Sequence, residues 1–140
     1  MGLALIRMKY DFDMVPTAAL YASALALLYL FLSLGVIGAR RRTKIVLGHG
    51  ADEFLMRRIR AHGNFSEYVP LCLLLIALAE MQHAPIWLIH ILGITLFSGR
   101  LIHAYGITRD KTAGPGRVLG MGLTFFNLSA GALINIIYAL

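Results

Sequence analysis

The stretch Arg57-Arg58-Ile59-Arg60-Ala61-His62-Gly63-Asn64-Phe65-Ser66-Glu67-Tyr68-Val69-Pro70 decides how the chain is read. It opens a segment that is otherwise apolar and long enough to cross a bilayer. At about 100° per residue, Arg60, Asn64 and Glu67 share one stripe of a helix. A cation, an amide and a carboxylate running toward lipid depth are costly unless they face a bundle interior or a polar cavity. The stripe is therefore either a site or an ion pair that satisfies itself at the water interface.

The surrounding composition makes the segment membranous. The chain has 140 residues, 59% of them hydrophobic and only 14% charged, with a mean hydropathy of +0.74. Soluble domains carry about a quarter charged residues, so this is a small polytopic membrane protein of one domain. The net charge of +6 is not a nucleic-acid footprint, because the basic residues sit at the ends of apolar runs without interleaved aromatics. Cys72 is the one cysteine, lies mid-helix among apolar residues and reads as an inert small hydrophobe. No CxxC or HxxxH spacing exists, which argues against a metal site.

Outward from that stretch, four spans appear. Residues 1–13 form a mixed leader, with Met14 as an alternative start, and residues 14–140 form the transmembrane domain. Residues 15–38 are the first helix, since about 20 apolar residues cross a bilayer core. Gly48-His49-Gly50 and Asp52-Glu53 mark a turn and a helix start. The second helix covers 53–81, with a kink expected at Pro70, where one backbone hydrogen bond is lost. The short connection 82–85 forces antiparallel neighbours. The third helix covers 86–105 with Trp87 as interfacial anchor, and the fourth runs from Arg117 to about Tyr138. On the fourth, Gly120, Thr124, Asn127, Gly131 and Asn135 form a small and polar stripe, suited to helix packing or to a contact between subunits. Glu80, His90 and Tyr105 read as structural.

Eleven of the thirteen Lys and Arg fall on the first and third connections and their flanks. The positive-inside rule then puts both long loops in the cytoplasm and both termini outside. Near the cytoplasmic face, four groups of polar residues converge: Arg40; Arg60, Asn64 and Glu67; Arg100 and His103; and Arg117. Several arginines beside one glutamate suit an elongated anionic ligand that also bears an ammonium, since Arg matches carboxylates bidentately. Glu67 takes the ammonium, and Asn64 takes an amide or carboxylate.

At this point the residues resemble a family. Arg60-Ala61-His62-Gly63-Asn64-Phe65-Ser66-Glu67-Tyr68-Val69-Pro70 is similar to the second-helix signature of the MAPEG family, the membrane-associated proteins in eicosanoid and glutathione metabolism. Val36-Ile37-Gly38-Ala39-Arg40-Arg41 and Gly99-Arg100-Leu101-Ile102-His103 agree as well, and the short form most resembles the small bacterial inner-membrane members. The resemblance implies an all-α membrane protein, a four-transmembrane-helix bundle of left-handed up-down topology, assembled as a homotrimer in the bacterial inner membrane. It implies glutathione as co-substrate, bound between neighbouring subunits by Arg40, Arg60, Asn64, Glu67, Tyr68 and Arg100. Arg117 then faces the sulfur and, with His103, forms the catalytic pair.

A free thiol, with a pKa of about 8.5, is mostly protonated at neutral pH. A guanidinium beside it, at a helix N-terminus, favours the thiolate. The expected activity is glutathione transfer to lipophilic electrophiles, or reduction of lipid hydroperoxides. The second function the resemblance allows is a non-catalytic lipid- or partner-binding scaffold. Three positions depart from the better-known members: His103 stands where the leukotriene synthase has tyrosine, Ile107 stands where a second tyrosine is expected, and Gly63 replaces an arginine of the prostaglandin synthase. No leukotriene- or prostaglandin-specific chemistry follows from such a set. A transporter is disfavoured, since no inverted repeat or pair of broken helices appears.

Overall fold

The computed structural model describes residues 15–109 and 114–140, which form four helices: α1 Pro16–Thr43, α2 Glu53–Met81, α3 Ile86–Arg109 and α4 Pro115–Ala139. The 1–13 leader, Met14, Asp110 and Lys111 lie outside the described residues. No strand occurs among the described residues.

Each helix end has a local cause. Pro16 and Pro115 occupy first-turn positions, where a missing N–H costs nothing. The start of α1 has no side-chain cap of its own. Glu80 of α2 supplies one, accepting from the Thr17 N–H at 3.0 Å and the Ala18 N–H at 2.7 Å. α1 continues past the expected end at Gly38 because Arg40, Arg41 and Arg42 in its last turn favour the helix and oppose the C-terminal dipole. Lys44, at φ 60°, ends it by donating its N–H to the Arg40 carbonyl. Asp52 caps α2, accepting from the Leu55 N–H at 2.7 Å. α2 carries Pro70 in its interior without ending there. α3 runs past the expected Tyr105 through Gly106, where a Cβ would lie 2.9 Å from the Arg117 backbone nitrogen. Only glycine lets α3 continue so close to the start of α4.

α2, α3 and α4 pack against one another, whereas α1 packs on α2 and α3 and does not reach α4. Leu25, Cys72, Ile76, Ile89, Leu92 and Leu96 form the centre of the core. The α4 stripe serves packing within the chain. A Cβ on Gly120 would sit 2.6 Å from the Gly99 carbonyl and the His103 nitrogen. Asn127 donates to the Leu92 carbonyl at 2.6 Å, and Asn135 to the Leu75 carbonyl at 2.9 Å. The outer faces remain apolar, with Leu27, Phe31, Leu34, Phe126 and Ile137 exposed. All four helices are long and apolar enough to cross a membrane, and a helix satisfies its own backbone there.

Candidate functional site

The closely packed α2, α3 and α4 leave a cleft of about 440 Å³ at the end where α2 and α4 begin and α3 finishes. Its walls include Arg57, Arg60, Asn64, His103, Ile107 and Arg117. Sequence spacing brings the first three together, since residues 57, 60 and 64 fall on one α2 face. The i, i+3 relation of Arg100 and His103 puts both on the α3 side toward α4.

Behind this wall lies Arg100, 2% exposed. It donates to Asn64 Oδ1 at 2.6 Å and to the Gly120 carbonyl at 3.1 Å. Among the described residues it has no carboxylate partner, so its charge is balanced only by dipoles. A guanidinium has donors only, so the bond fixes the Asn64 amide with oxygen inward. Its nitrogen is then the atom left to serve a ligand. Arg100 also lies 6.0 Å over the Tyr68 ring, which itself packs edge-on against Phe125.

His103 is oriented from α4. Its Nδ1 lies 3.0 Å from the Arg117 carbonyl, and a carbonyl only accepts, so Nδ1 carries a proton. In the neutral ring Nε2 is then a lone-pair acceptor. That atom is buried and has no hydrogen-bond partner among the described residues, while the residue lines the cleft. Arg117 is in the first turn of α4, which contains no acidic residue. A cation there opposes the helix dipole, and among the described residues its guanidinium has no carboxylate partner. Both features are relieved by an anion in the cleft.

The remaining expected residues are placed less centrally. Glu67 lies 3.9 Å from Arg60, both about half exposed, at the rim. Tyr68 and Arg100 sit behind the wall. Arg40 stands apart, its Nη1 donating to the carbonyls of Ile45, Val46 and Gly48 at 3.0–3.2 Å. Sequence reading did not single out Glu53, Met56, Arg57, Ile107 and Met121 as lining residues. Arg57 carried a usable signal, three residues before Arg60 and bonded to Glu53 one turn earlier at 3.1 Å. No group of acidic, histidine or cysteine side chains with metal-binding geometry occurs among the described residues.

Comparison with known proteins bears on this arrangement. A sequence model described as the MAPEG family matches residues 18–137. The inner membrane protein YecN of Escherichia coli strain K12 is 37% identical over 121 residues, covering 86% of this chain and 91% of that protein. YecN of the O6:H1 strain matches to the same extent. The match runs through all four membrane-length helices and includes the Arg60–Pro70 signature on which the cleft is built, so the chain belongs to the MAPEG family of membrane proteins.

Proposed function

We propose that this protein binds glutathione in the α2–α3–α4 cleft and uses it on hydrophobic electrophiles or lipid hydroperoxides. The observation that carries the reading is the presence on one wall of Arg117 and of His103, whose buried Nε2 has no hydrogen-bond partner among the described residues. Together they suit a ligand whose reacting atom becomes an anion while it gives up a proton. Arg57 and Arg60 supply charge for carboxylates, the Asn64 amide nitrogen meets a carbonyl or carboxylate oxygen, and Glu67 at the rim takes an ammonium. The cleft volume of about 440 Å³ is within the range of small-molecule sites.

Glutathione supplies the nucleophilic sulfur and, toward a hydroperoxide, two reducing equivalents from two molecules, giving a disulfide, an alcohol and water. The chain's residues do the rest. Arg117 stabilises negative charge at sulfur, assisted by the α4 N-terminus. His103 Nε2 accepts the thiol proton, and the Arg117 carbonyl holds the ring in position. Arg100 adds positive potential from behind Asn64. Family membership, in a family that includes glutathione transferases, supports this assignment. We place the protein in the bacterial inner membrane, as the name of the inner membrane protein YecN has it for that protein, with the basic loops cytoplasmic and the termini outside. We place the site at a subunit boundary of a homotrimer, a reading consistent with Arg40 lying outside the cleft of its own chain.

A second reading, a lipid- or partner-binding scaffold, is favoured by one feature. An apolar groove of about 360 Å³ lies between α1 and α2, lined by Leu25, Tyr29, Phe65, Val69 and Leu73 among others. Detergent-solubilised protein mixed with glutathione and a chromogenic electrophile separates the two readings. A rate above the uncatalysed reaction is expected. Absence of turnover in protein that still retains lipid would leave the scaffold.

A further inference from the structure

On the other side of the α2–α3 pair from the cleft lies a second hollow, formed where α1 crosses α3. It has a volume of about 440 Å³ and is walled by Leu28, Phe31, Leu32 and Leu101. At its end nearest the basic loops stand two guanidiniums, Arg58 of α2 and Arg109 of α3. Each lies on an aromatic ring, Arg58 at 5.4 Å from the Phe54 centroid and Arg109 at 4.9 Å from that of Tyr105. Arg58 also crosses α1 at Gly35, where a Cβ would come within 3.2 Å of its Nη1. Among the described residues neither guanidinium has a carboxylate or a hydrogen-bond partner. Stacking on a ring face leaves the in-plane N–H groups free to receive an anion.

We infer that this hollow is a site for an anionic phospholipid, with the phosphate between Arg58 and Arg109 and an acyl chain along Leu28, Phe31, Leu32 and Leu101. Charge complementarity and the apolar walls select the occupant together. A soluble anion leaves the walls unused, and a zwitterionic lipid brings its own cation to the arginines. Basic pockets between helices at the cytoplasmic leaflet are where acidic headgroups bind. The site uses none of the residues of the cleft.

Native mass spectrometry of delipidated protein, offered equal phosphatidylglycerol and phosphatidylcholine, tests this. Phosphatidylglycerol is expected to remain bound preferentially. The double variant Arg58→Gln/Arg109→Gln is expected to lose that preference, each arginine being worth about fivefold. Arg109→Gln alone, at an exposed helix end, gives a readout should the double variant not fold. Arg41→Gln/Lys44→Gln removes equal charge outside the hollow and away from the Phe54 ring and is expected to keep the preference, and glutathione affinity is expected to be unchanged throughout. Equal retention of both lipids, or equal loss in the two double variants, overturns the site. So does full displacement of phosphatidylglycerol by inorganic phosphate, or a photo-crosslink from Leu101 that captures a second copy of the chain instead of lipid.

Discussion

The two ends of the bundle handle polar groups in opposite ways. At the end where α2 finishes, most polar side chains close on partners from other helices, with the buried Gln82 Oε1 an exception among the described residues. Glu80 takes the Thr17 and Ala18 N–H groups, Gln82 donates to Asn135 Oδ1 at 2.7 Å, and the Tyr21 hydroxyl meets His90 Nδ1 at 2.9 Å. At the end where α2 begins, Arg100 and Asn64 bind each other inside, yet among the described residues the Arg117 guanidinium has no carboxylate partner and the buried His103 Nε2 no hydrogen-bond partner. A closed polar layer stabilises a membrane bundle and fixes its register. An open one costs free energy and persists where a ligand completes it. Among the described residues the arginines are confined to the open end, and the two ends differ also in how far the polar partners belong to the chain.

Breaking the helix contact that holds the open end together gives the largest expected effect. Gly120→Val places side-chain atoms against α3 backbone at Gly99 and His103, and overpacking of this kind costs about 3 kcal/mol. Thermal unfolding in detergent is expected to shift down by on the order of ten degrees, with glutathione binding lost as His103 moves. An unchanged midpoint would mean that α3 and α4 lie farther apart. At the closed end, Glu80→Ala orphans two helix N–H groups and removes an anion from the α1 N-terminus. A loss of about 2 kcal/mol is expected, without change in glutathione affinity. A change in affinity with unaltered stability would reverse the roles assigned to the two ends. The smallest effect concerns the rim. Arg60 and Glu67 are exposed and 3.9 Å apart, so their pairing contributes little stability. Glu67→Gln is expected to leave the assembly and its melting intact while glutathione binds about tenfold more weakly in calorimetry. Equal affinity would remove the ammonium role.

The closed end was hardly legible in the sequence. Glu80 read as structural, which its role as a cap agrees with, but nothing local to it announces that α1, 62 residues away, lacks a cap. The open end was more legible, because Arg60, Asn64 and Glu67 repeat at helical spacing and the resemblance extends through them. Helix existence followed from apolar length, whereas helix ends did not. Gly38 and Gly106 looked like stops, yet α1 is carried onward by three arginines and α3 by the close approach that Gly106 permits. The inward bond from Arg100 to Asn64 and the tautomer of His103 depend on which α4 carbonyl stands nearby, which no spacing rule supplies. Arg40 is the opposite case. Its position at the end of α1 was plain, but its engagement with the 45–48 carbonyls came only from the path of the turn.

The central claim is that Arg117 faces a sulfur anion, and its direct test is glutathione binding to purified protein with thiolate absorbance followed, wild type beside Arg117→Ala. Binding with a thiolate signal is expected in the wild type, with loss of that signal in the variant. No binding at millimolar glutathione, or an equal thiolate signal in both proteins, would contradict it.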